Sequence, residues 1–124
     1  MTRSADELVT DFCGRWTSPD PHELAGFFTE DAVFHNIPLR AVQGRSAIEE
    51  YIRDFLGNFE HLEFRVHRQV SMGDLVMNER TDVMRRPGGT DIELPVMGVF
   101  EIADGRIAAW RDYFDMATIT NAFS

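Results

Sequence analysis

The spacing of apolar residues changes near residue 60, and that change constrains the fold more than any other feature of this sequence. Up to that point, outside one short segment, apolar residues recur every three or four positions, as on one face of an amphipathic helix. From Leu62 onward apolar and polar residues alternate along segments separated by short turns, which is typical of half-buried β-strands. Helices followed by hairpin-linked strands predict an α+β fold with a mostly antiparallel sheet. At this length, residues 1–124 are expected to form a single domain.

The first half of the sequence predicts three helices and one short strand. An apolar stripe over residues 5–16 follows Ser4, which has a glutamate three positions later and therefore the pattern of a capping box. A second helix is predicted after the cap residue Asp20, and a third after the cap residue Ser46. A strand over residues 31–37 is predicted between the second and third helices.

The second half predicts four strands joined by turns, over residues 62–71, 75–86, 91–103 and 106–113. The segment 114–123 is predicted to be a short helix or ordered coil. Polar turn residues separate each strand from the next, so consecutive strands are expected to pair as neighbours.

The turn at Asp104-Gly105 leaves two registers open for the last hairpin. A two-residue loop would pair Asp112 with Met97, whereas a three-residue loop with a glycine bulge would pair Trp110 with Gly98. We favour the second register, because a large ring can lie over the bare backbone of a glycine.

Charge, hydropathy and cysteine content disfavour several classes of function. The formal net charge of −9 disfavours binding to nucleic acids or to anionic membrane surfaces. No apolar run approaches the roughly 20 residues of a membrane span, and the N-terminal residues lack the apolar segment of a signal peptide. A single cysteine, Cys13, cannot form an internal disulfide. Together these features predict a cytoplasmic protein.

Two predicted strands carry aspartates beside large apolar residues. Because side chains two positions apart in a strand point the same way, Arg80 and Asp82 share one face, as do Trp110, Asp112 and Phe114. If these faces meet, the pocket between them holds two carboxylates and one guanidinium, which is the composition of an acid–base site. The alternative is that the charges form an exposed salt bridge of little energetic consequence.

The segments that carry these residues resemble the limonene-1,2-epoxide hydrolase family. The resemblance lies in Phe34-His35-Asn36-Ile37-Pro38-Leu39, Arg80-Thr81-Asp82, Gly98-Val99-Phe100 and Trp110-Arg111-Asp112-Tyr113-Phe114-Asp115. It implies the cone-shaped fold of nuclear transport factor 2 and SnoaL-like proteins, in which N-terminal helices pack on the concave face of a curved, mixed sheet. It also implies a homodimer that uses no metal or organic cofactor.

Carried over to this sequence, the resemblance implies a role for each of four residues. Asp112 would be the general base that deprotonates the attacking water, and Asp82 the general acid that protonates the epoxide oxygen. Arg80 would bridge the two acids, and Asn36 would orient the water. The reaction would open the epoxide in one step, with water and a lipophilic epoxide as substrates and a vicinal diol as product.

Phe34 departs from the pattern of the family, which has a tyrosine at this position. The tyrosine hydroxyl is one of three groups that hold the water, and Phe34 lacks it. Three outcomes are open: His35 or a second water compensates, hydrolysis is slow, or the substrate brings its own polar group. Because one hydrogen bond contributes about 0.5–1.5 kcal/mol, we expect weakened activity and not its loss.

Strand parity predicts that a set of apolar side chains lines the pocket and contacts substrate. These residues are Phe34, Met84, Leu94, Val96, Trp110 and Phe114, joined by Phe55 or Leu56 from the third helix. Such a lining suits a lipophilic epoxide of terpene size or larger. The alternative, that each of these residues simply fills a core, is equally compatible with the sequence.

Two other functions are compatible with the same fold. One is an isomerase or dehydratase that uses Asp82 or Asp112 to move a proton on a ketone or sterol-like substrate. An arginine between two acids disfavours it, because a lone base with an oxyanion donor is expected there. The other is a binding module without catalytic activity, which the loss of the hydroxyl at Phe34 keeps open.

Overall fold

A computed structural model describes residues 3–123, which form one six-stranded sheet with helices packed on it. The helices are α1 (Ala5–Gly14), α2 (Pro21–Ala25), α3 (Arg45–Leu56) and α4 (Met116–Ala122), with a 3₁₀ turn over Arg15–Thr17. The strands are β1 (Phe28–Asn36), β2 (Val42–Gln43), β3 (His61–Met72), β4 (Leu75–Arg85), β5 (Ile92–Ala103) and β6 (Arg106–Tyr113).

The strands lie in the order β2-β1-β6-β5-β4-β3. Strand β1 runs parallel to β6, and all other neighbours are antiparallel. The predicted α+β fold with a mixed, mostly antiparallel sheet is therefore confirmed. The two-residue strand β2 was not predicted, because so short an edge strand carries no periodic pattern.

The starts of the helices agree only in part with the predicted caps. Ser4 and Glu7 form the predicted capping box of α1, with reciprocal hydrogen bonds of 3.1 and 3.0 Å. Asp20 occupies the N-cap position of α2, but its side chain makes no capping hydrogen bond. The prediction that Ser46 caps α3 is wrong, because Gly44, two residues earlier, occupies the N-cap position. Gly44 has φ 93°, a conformation that glycine adopts without strain.

The register of the last hairpin differs from both predicted alternatives. Both residues of the Asp104-Gly105 turn have positive φ, 53° and 72°, as a two-residue hairpin loop requires. The ladder then shifts by one residue through an irregularity in β6. As a result Asp112 lies opposite Gly98, and Trp110 lies opposite Phe100. The turn and the bulge together set the register of this hairpin, and the sequence pattern does not distinguish their separate effects.

The core lies between the helices and the covered face of the sheet, with Trp110 at its centre. The Trp110 ring stacks on Phe34 at 4.2 Å between centroids and on Phe100 at 5.5 Å. Phe12 of α1 meets the same ring edge-on at 5.0 Å, a geometry that aromatic pairs prefer. The tryptophan thus joins the first helix to β1, β5 and β6. Within residues 3–123 no helix has the length and apolar character that a membrane span requires.

Candidate active site

Arg80 lies at the centre of a buried cluster of charged and polar side chains. Its Nε and Nη2 donate to the two oxygens of Asp82 at 2.9 and 3.0 Å, a bidentate pair. Nη2 also donates to Asp112 Oδ2 at 2.8 Å, and Nη1 donates to Asn78 Oδ1 at 3.0 Å. Arg80, Asp82 and Asp112 are only 1%, 6% and 4% exposed, so this is no surface salt bridge. One guanidinium therefore holds both carboxylates in one pocket.

The sheet brings these residues together through one row of paired positions. Asn78 of β4 lies opposite Gly98 of β5, Gly98 lies opposite Asp112 of β6, and Asp112 lies opposite Asn36 of β1. Arg80 is two positions along β4 from Asn78, so its side chain points to the same face. The site is thus built on four adjacent strands, which hold it rigidly.

Gly98 gives the guanidinium its room. A Cβ at this position would lie 2.4 Å from Arg80 Nη1, 2.9 Å from Asn78 Oδ1 and 3.0 Å from Asp112 Oδ1. The first two separations are shorter than real Cβ contacts and the third is at the tight limit, so a side chain at this position would displace the cluster. The bare backbone of Gly98 therefore receives the planar head of Arg80, and not the Trp110 ring that was predicted to lie over it.

Trp110 contributes a polar contact that sequence reasoning missed. Its Nε1 donates to Asp112 Oδ1 at 2.7 Å, so both oxygens of this carboxylate accept a hydrogen bond from a buried donor. Trp110 was predicted only as an apolar lining residue. The i, i+2 spacing to Asp112 was the available signal, since both side chains had to share one face.

Asn78 is a second buried residue that sequence reasoning missed. Its side-chain oxygen accepts from Arg80, and its amide nitrogen donates to Gln69 Oε1 at 3.0 Å. Gln69 in turn donates to Asp6 Oδ1 at 2.8 Å, which links the cluster to the first turn of α1. Asn78 precedes Arg80 by two residues, so strand parity could have placed it on the same face. Its contacts fix the position of Arg80 from the side opposite Asp82.

Burial sets the protonation of the acid on β4. It raises the pKa of Asp82 to about 6, an effect that Arg80 opposes and the negative charge of Asp112 reinforces. Burial disfavours the charge on Arg80, but the two carboxylates outweigh it and hold the pKa of Arg80 well above its ordinary value. Asp82 therefore keeps a proton to a higher pH than an exposed aspartate does, while Arg80 stays charged.

Asn36 lies beside the cluster and contacts a tyrosine from α3. Its Nδ2 donates to the Tyr51 hydroxyl at 3.2 Å. The Tyr51 ring meets the Phe34 ring edge-on, with 5.5 Å between centroids. Tyr51 was predicted only as part of the apolar stripe of its helix. His35 faces the exposed side of β1, where its Nε2 lies 3.0 Å from the backbone oxygen of Leu39.

A largely apolar cavity of about 180 Å³ opens onto Asp82, Asp112 and Asn36. All six predicted substrate-binding residues line this cavity: Phe34, Met84, Leu94, Val96, Trp110 and Phe114. Phe55 of α3 lines it as well. Leu56, the other helix residue considered, packs against the core and does not line the cavity. Side chains from α4 complete the wall. The acids thus face an apolar space with few competing polar groups.

Within residues 3–123, neither the one cysteine nor a cluster of metal-ligating side chains provides a second site. Burial raises the pKa of Cys13 to about 12, so its thiol is not poised to act as a nucleophile. Within residues 3–123 no group of three or more His, Cys, Asp or Glu side chains is arranged to hold a metal ion.

Comparison with known proteins relates most of this chain to one family. The family model of the limonene-1,2-epoxide hydrolase catalytic domain matches residues 21–124. The epoxide hydrolase EphG of Mycobacterium tuberculosis (strain H37Rv) is 36% identical over 87 residues, which cover 70% of this chain. The match spans 57% of the length of that relative.

Solved structures show the same fold. A limonene-1,2-epoxide-hydrolase-like epoxide hydrolase of M. tuberculosis superposes with a TM-score of 0.84 at 30% identity, covering 97% of this chain and 89% of that one. A protein named as a SnoaL-like polyketide cyclase, from Shewanella denitrificans OS-217, superposes with a TM-score of 0.86 at 18% identity, covering 96% of each chain. The second likeness shows the fold alone.

Proposed function

The chain belongs to the limonene-1,2-epoxide hydrolase family, and we propose that it hydrolyses a lipophilic epoxide to a vicinal diol by general acid–base catalysis. The observation that supports this most directly is the pair of buried carboxylates, Asp82 and Asp112, held by one guanidinium beside an apolar cavity. Two carboxyl groups whose environments differ are suited to act as acid and base in one step.

The proposed reaction forms one carbon–oxygen bond, breaks another and transfers two protons. Asp112 accepts a proton from the attacking water while the water oxygen bonds to an epoxide carbon. The bond from that carbon to the epoxide oxygen breaks, and Asp82 donates its proton to this oxygen. Burial supports Asp82 as the acid, because it raises the pKa of this group to about 6.

The same contacts support a return to the resting state. After the step Asp112 holds the proton and Asp82 is ionised, so one proton has to pass back between the two groups. Both carboxylates bind Nη2 of Arg80, which keeps them close together. With one proton on the pair, the remaining negative charge balances Arg80, so the buried site is neutral before and after the step.

The cavity supports a substrate of one ring with a small substituent. Apolar cavities of about 150 Å³ hold a benzene ring, and this cavity measures about 180 Å³. A steroid epoxide exceeds that space unless α4 moves. We therefore propose a cyclic epoxide of the size of cyclohexene oxide to limonene oxide, whereas the lining residues alone predicted terpene size or larger.

We further propose that residues 1–124 act as one domain that pairs with a second copy in the cytoplasm. The face of the sheet opposite the helices exposes Met77, Met97 and Tyr113, by 37%, 43% and 45%. Met97 and Tyr113 lie opposite each other on β5 and β6, so they form a continuous apolar surface. Analytical ultracentrifugation of the wild type and of Met97→Lys tests the pairing, which predicts a dimer that the lysine weakens.

A single-turnover experiment in H₂¹⁸O tests the hydrolase proposal. With enzyme in excess over limonene oxide, direct attack by water gives a diol that carries ¹⁸O from the first turnover. An ester intermediate on an aspartate would give an unlabelled first diol, since the oxygen would then come from the carboxylate. No diol, together with isomerisation of a cyclic enone, would favour the isomerase alternative.

A pair of variants locates the base. Asp112→Asn is expected to lower the rate by a factor of about 10²–10⁴. Glu79→Gln is the matched control, because Glu79 is also an acid in the sheet but forms an exposed salt bridge with Arg68. Equal activity in the two variants would contradict the assignment of Asp112. Retained ligand binding with no turnover in the wild type would indicate a binding module.

A further inference from the structure

We propose that the Tyr51 hydroxyl is the third group that holds the attacking water, in place of the hydroxyl that Phe34 lacks. The inference rests on the hydrolase function proposed above and extends it to a residue of α3. It would explain how a site without a tyrosine at position 34 keeps a fully oriented nucleophile.

The position of Asn36 relative to the base is fixed by the sheet. Asn36 lies directly opposite Asp112 in the parallel pair of β1 and β6, and the Ile37 amide donates to the Asp112 backbone oxygen at 2.9 Å. A water bound between these two side chains therefore lies beside the base. Both residues line the cavity, so that water also faces the substrate.

The hydrogen bond to Tyr51 sets the orientation of the Asn36 amide. Because Nδ2 donates to the Tyr51 oxygen at 3.2 Å, the amide oxygen turns the other way and is available as an acceptor. Tyr51 accepts this bond and keeps its own O–H proton to donate. The pair thus offers the cavity one acceptor, on Asn36, and one donor, on Tyr51.

These groups match the four hydrogen-bonding positions of a water molecule. One water proton goes to Asp112 and the other to the amide oxygen of Asn36. One lone pair of the water accepts from the Tyr51 hydroxyl, and the other is left to attack the epoxide carbon. Because the water is already oriented, less entropy is lost in reaching the transition state.

The surroundings of Phe34 explain why the hydroxyl comes from a neighbour. The Phe34 ring is held flat on Trp110, with 6° between the planes, and carries no polar atom. The Tyr51 ring lies nearly perpendicular to the Phe34 ring and lines the same cavity. His35 does not hold the water, since its side chain contacts the backbone of Leu39 on the exposed side of the strand.

Removing single hydroxyl groups tests the proposal on a cyclic epoxide. Tyr51→Phe is expected to lower kcat about tenfold and to change KM less than about twofold, because the lost contact orients water and not substrate. Tyr113→Phe is the matched control, since it removes the hydroxyl of the only other tyrosine, which lies on the opposite face of the sheet. It is expected to leave both constants unchanged.

A second hydroxyl tests the replacement directly. In the Tyr51→Phe background, Phe34→Tyr is expected to recover most of the lost kcat. A fall confined to KM, or a double variant no faster than Tyr51→Phe, would overturn the proposal. Turnover equal to wild type in Tyr51→Phe would overturn it while leaving the hydrolase function intact. A wild type that opens no epoxide would instead overturn the function itself.

An NMR experiment adds a readout independent of turnover. With only two tyrosines in the sequence, ¹³C-tyrosine labelling gives two sets of ring signals, which Tyr113→Phe assigns. Asn36→Ala is expected to shift the Tyr51 signals and leave those of Tyr113 in place. Unmoved Tyr51 signals would overturn the contact on which the proposal rests.

Discussion

Gly98→Ala adds a single methyl group at the point where the guanidinium of Arg80 meets the sheet. The new Cβ would lie 2.4 Å from Arg80 Nη1, whereas unstrained contacts of carbon with other heavy atoms begin near 3.5 Å. The side chain of Arg80 therefore has to move by about 1 Å. It cannot do so without loosening its bonds to Asp82 and Asp112.

The expected loss combines two costs. Forcing a methyl group into a well-packed interior typically costs about 1–3 kcal/mol, and weakening one hydrogen bond of a buried charge costs about 1.5–3 kcal/mol. We expect the free energy of unfolding to fall by about 3 kcal/mol, which a domain of ordinary stability survives. Because an error of about 1 Å in a catalytic group costs about 10² in rate, kcat is expected to fall about a hundredfold.

Urea denaturation and epoxide hydrolysis measure the two effects. Gly14→Ala is the matched control, because Gly14 has helical backbone angles and a Cβ there meets nothing within 4 Å. It is expected to leave activity unchanged and to raise stability by at most about 1 kcal/mol. If Gly98→Ala behaved like Gly14→Ala in both assays, the close approach of Arg80 to the sheet would be refuted.

Three further predictions concern individual side chains. Trp110→Phe removes the Nε1 donor that lies 2.7 Å from Asp112 Oδ1, so the free energy of unfolding is expected to fall by about 1.5–3 kcal/mol and kcat to fall with it. An unchanged denaturation midpoint would contradict the contribution of this hydrogen bond. Asp82 acts as the acid only while protonated, so kcat/KM is expected to fall about tenfold per pH unit above its pKa of about 6. A pH profile that stays flat to about pH 8 would exclude Asp82 as the acid. Cys13 is buried with its pKa raised to about 12, so a thiol reagent at neutral pH is expected to label it only after unfolding, and rapid labelling of the folded protein would contradict its burial.

Local sequence pattern accounts for the secondary structure and for the faces of the strands. The four long strands of the second half appear within one residue of their predicted bounds, because alternation and turn residues act over a few positions. Strand β1 instead begins at Phe28, three residues before the prediction, since Phe28 pairs with Ile107 of the last strand. A boundary that depends on a distant partner leaves little trace in the nearby residues.

The placement of the acids on one face was likewise open to prediction, but their mutual position was not. The i, i+2 spacings of Arg80 with Asp82 and of Trp110 with Asp112 assign each pair to one side of a strand. Which residues lie across from Asp112 depends on a loop and a bulge that shift the register by one residue. A shift of that size is decided by packing over the whole sheet.

The sequence by itself determined the order of helices and strands, the faces on which the charged residues lie, and the family. Tertiary structure alone decided that Gly98 receives the Arg80 guanidinium, that Trp110 donates to Asp112, and that Tyr51 meets Asn36. The physical reason is one of range. Side-chain direction follows from the repeat of the local backbone, whereas these contacts join residues of different strands and helices, whose approach depends on how the entire core packs.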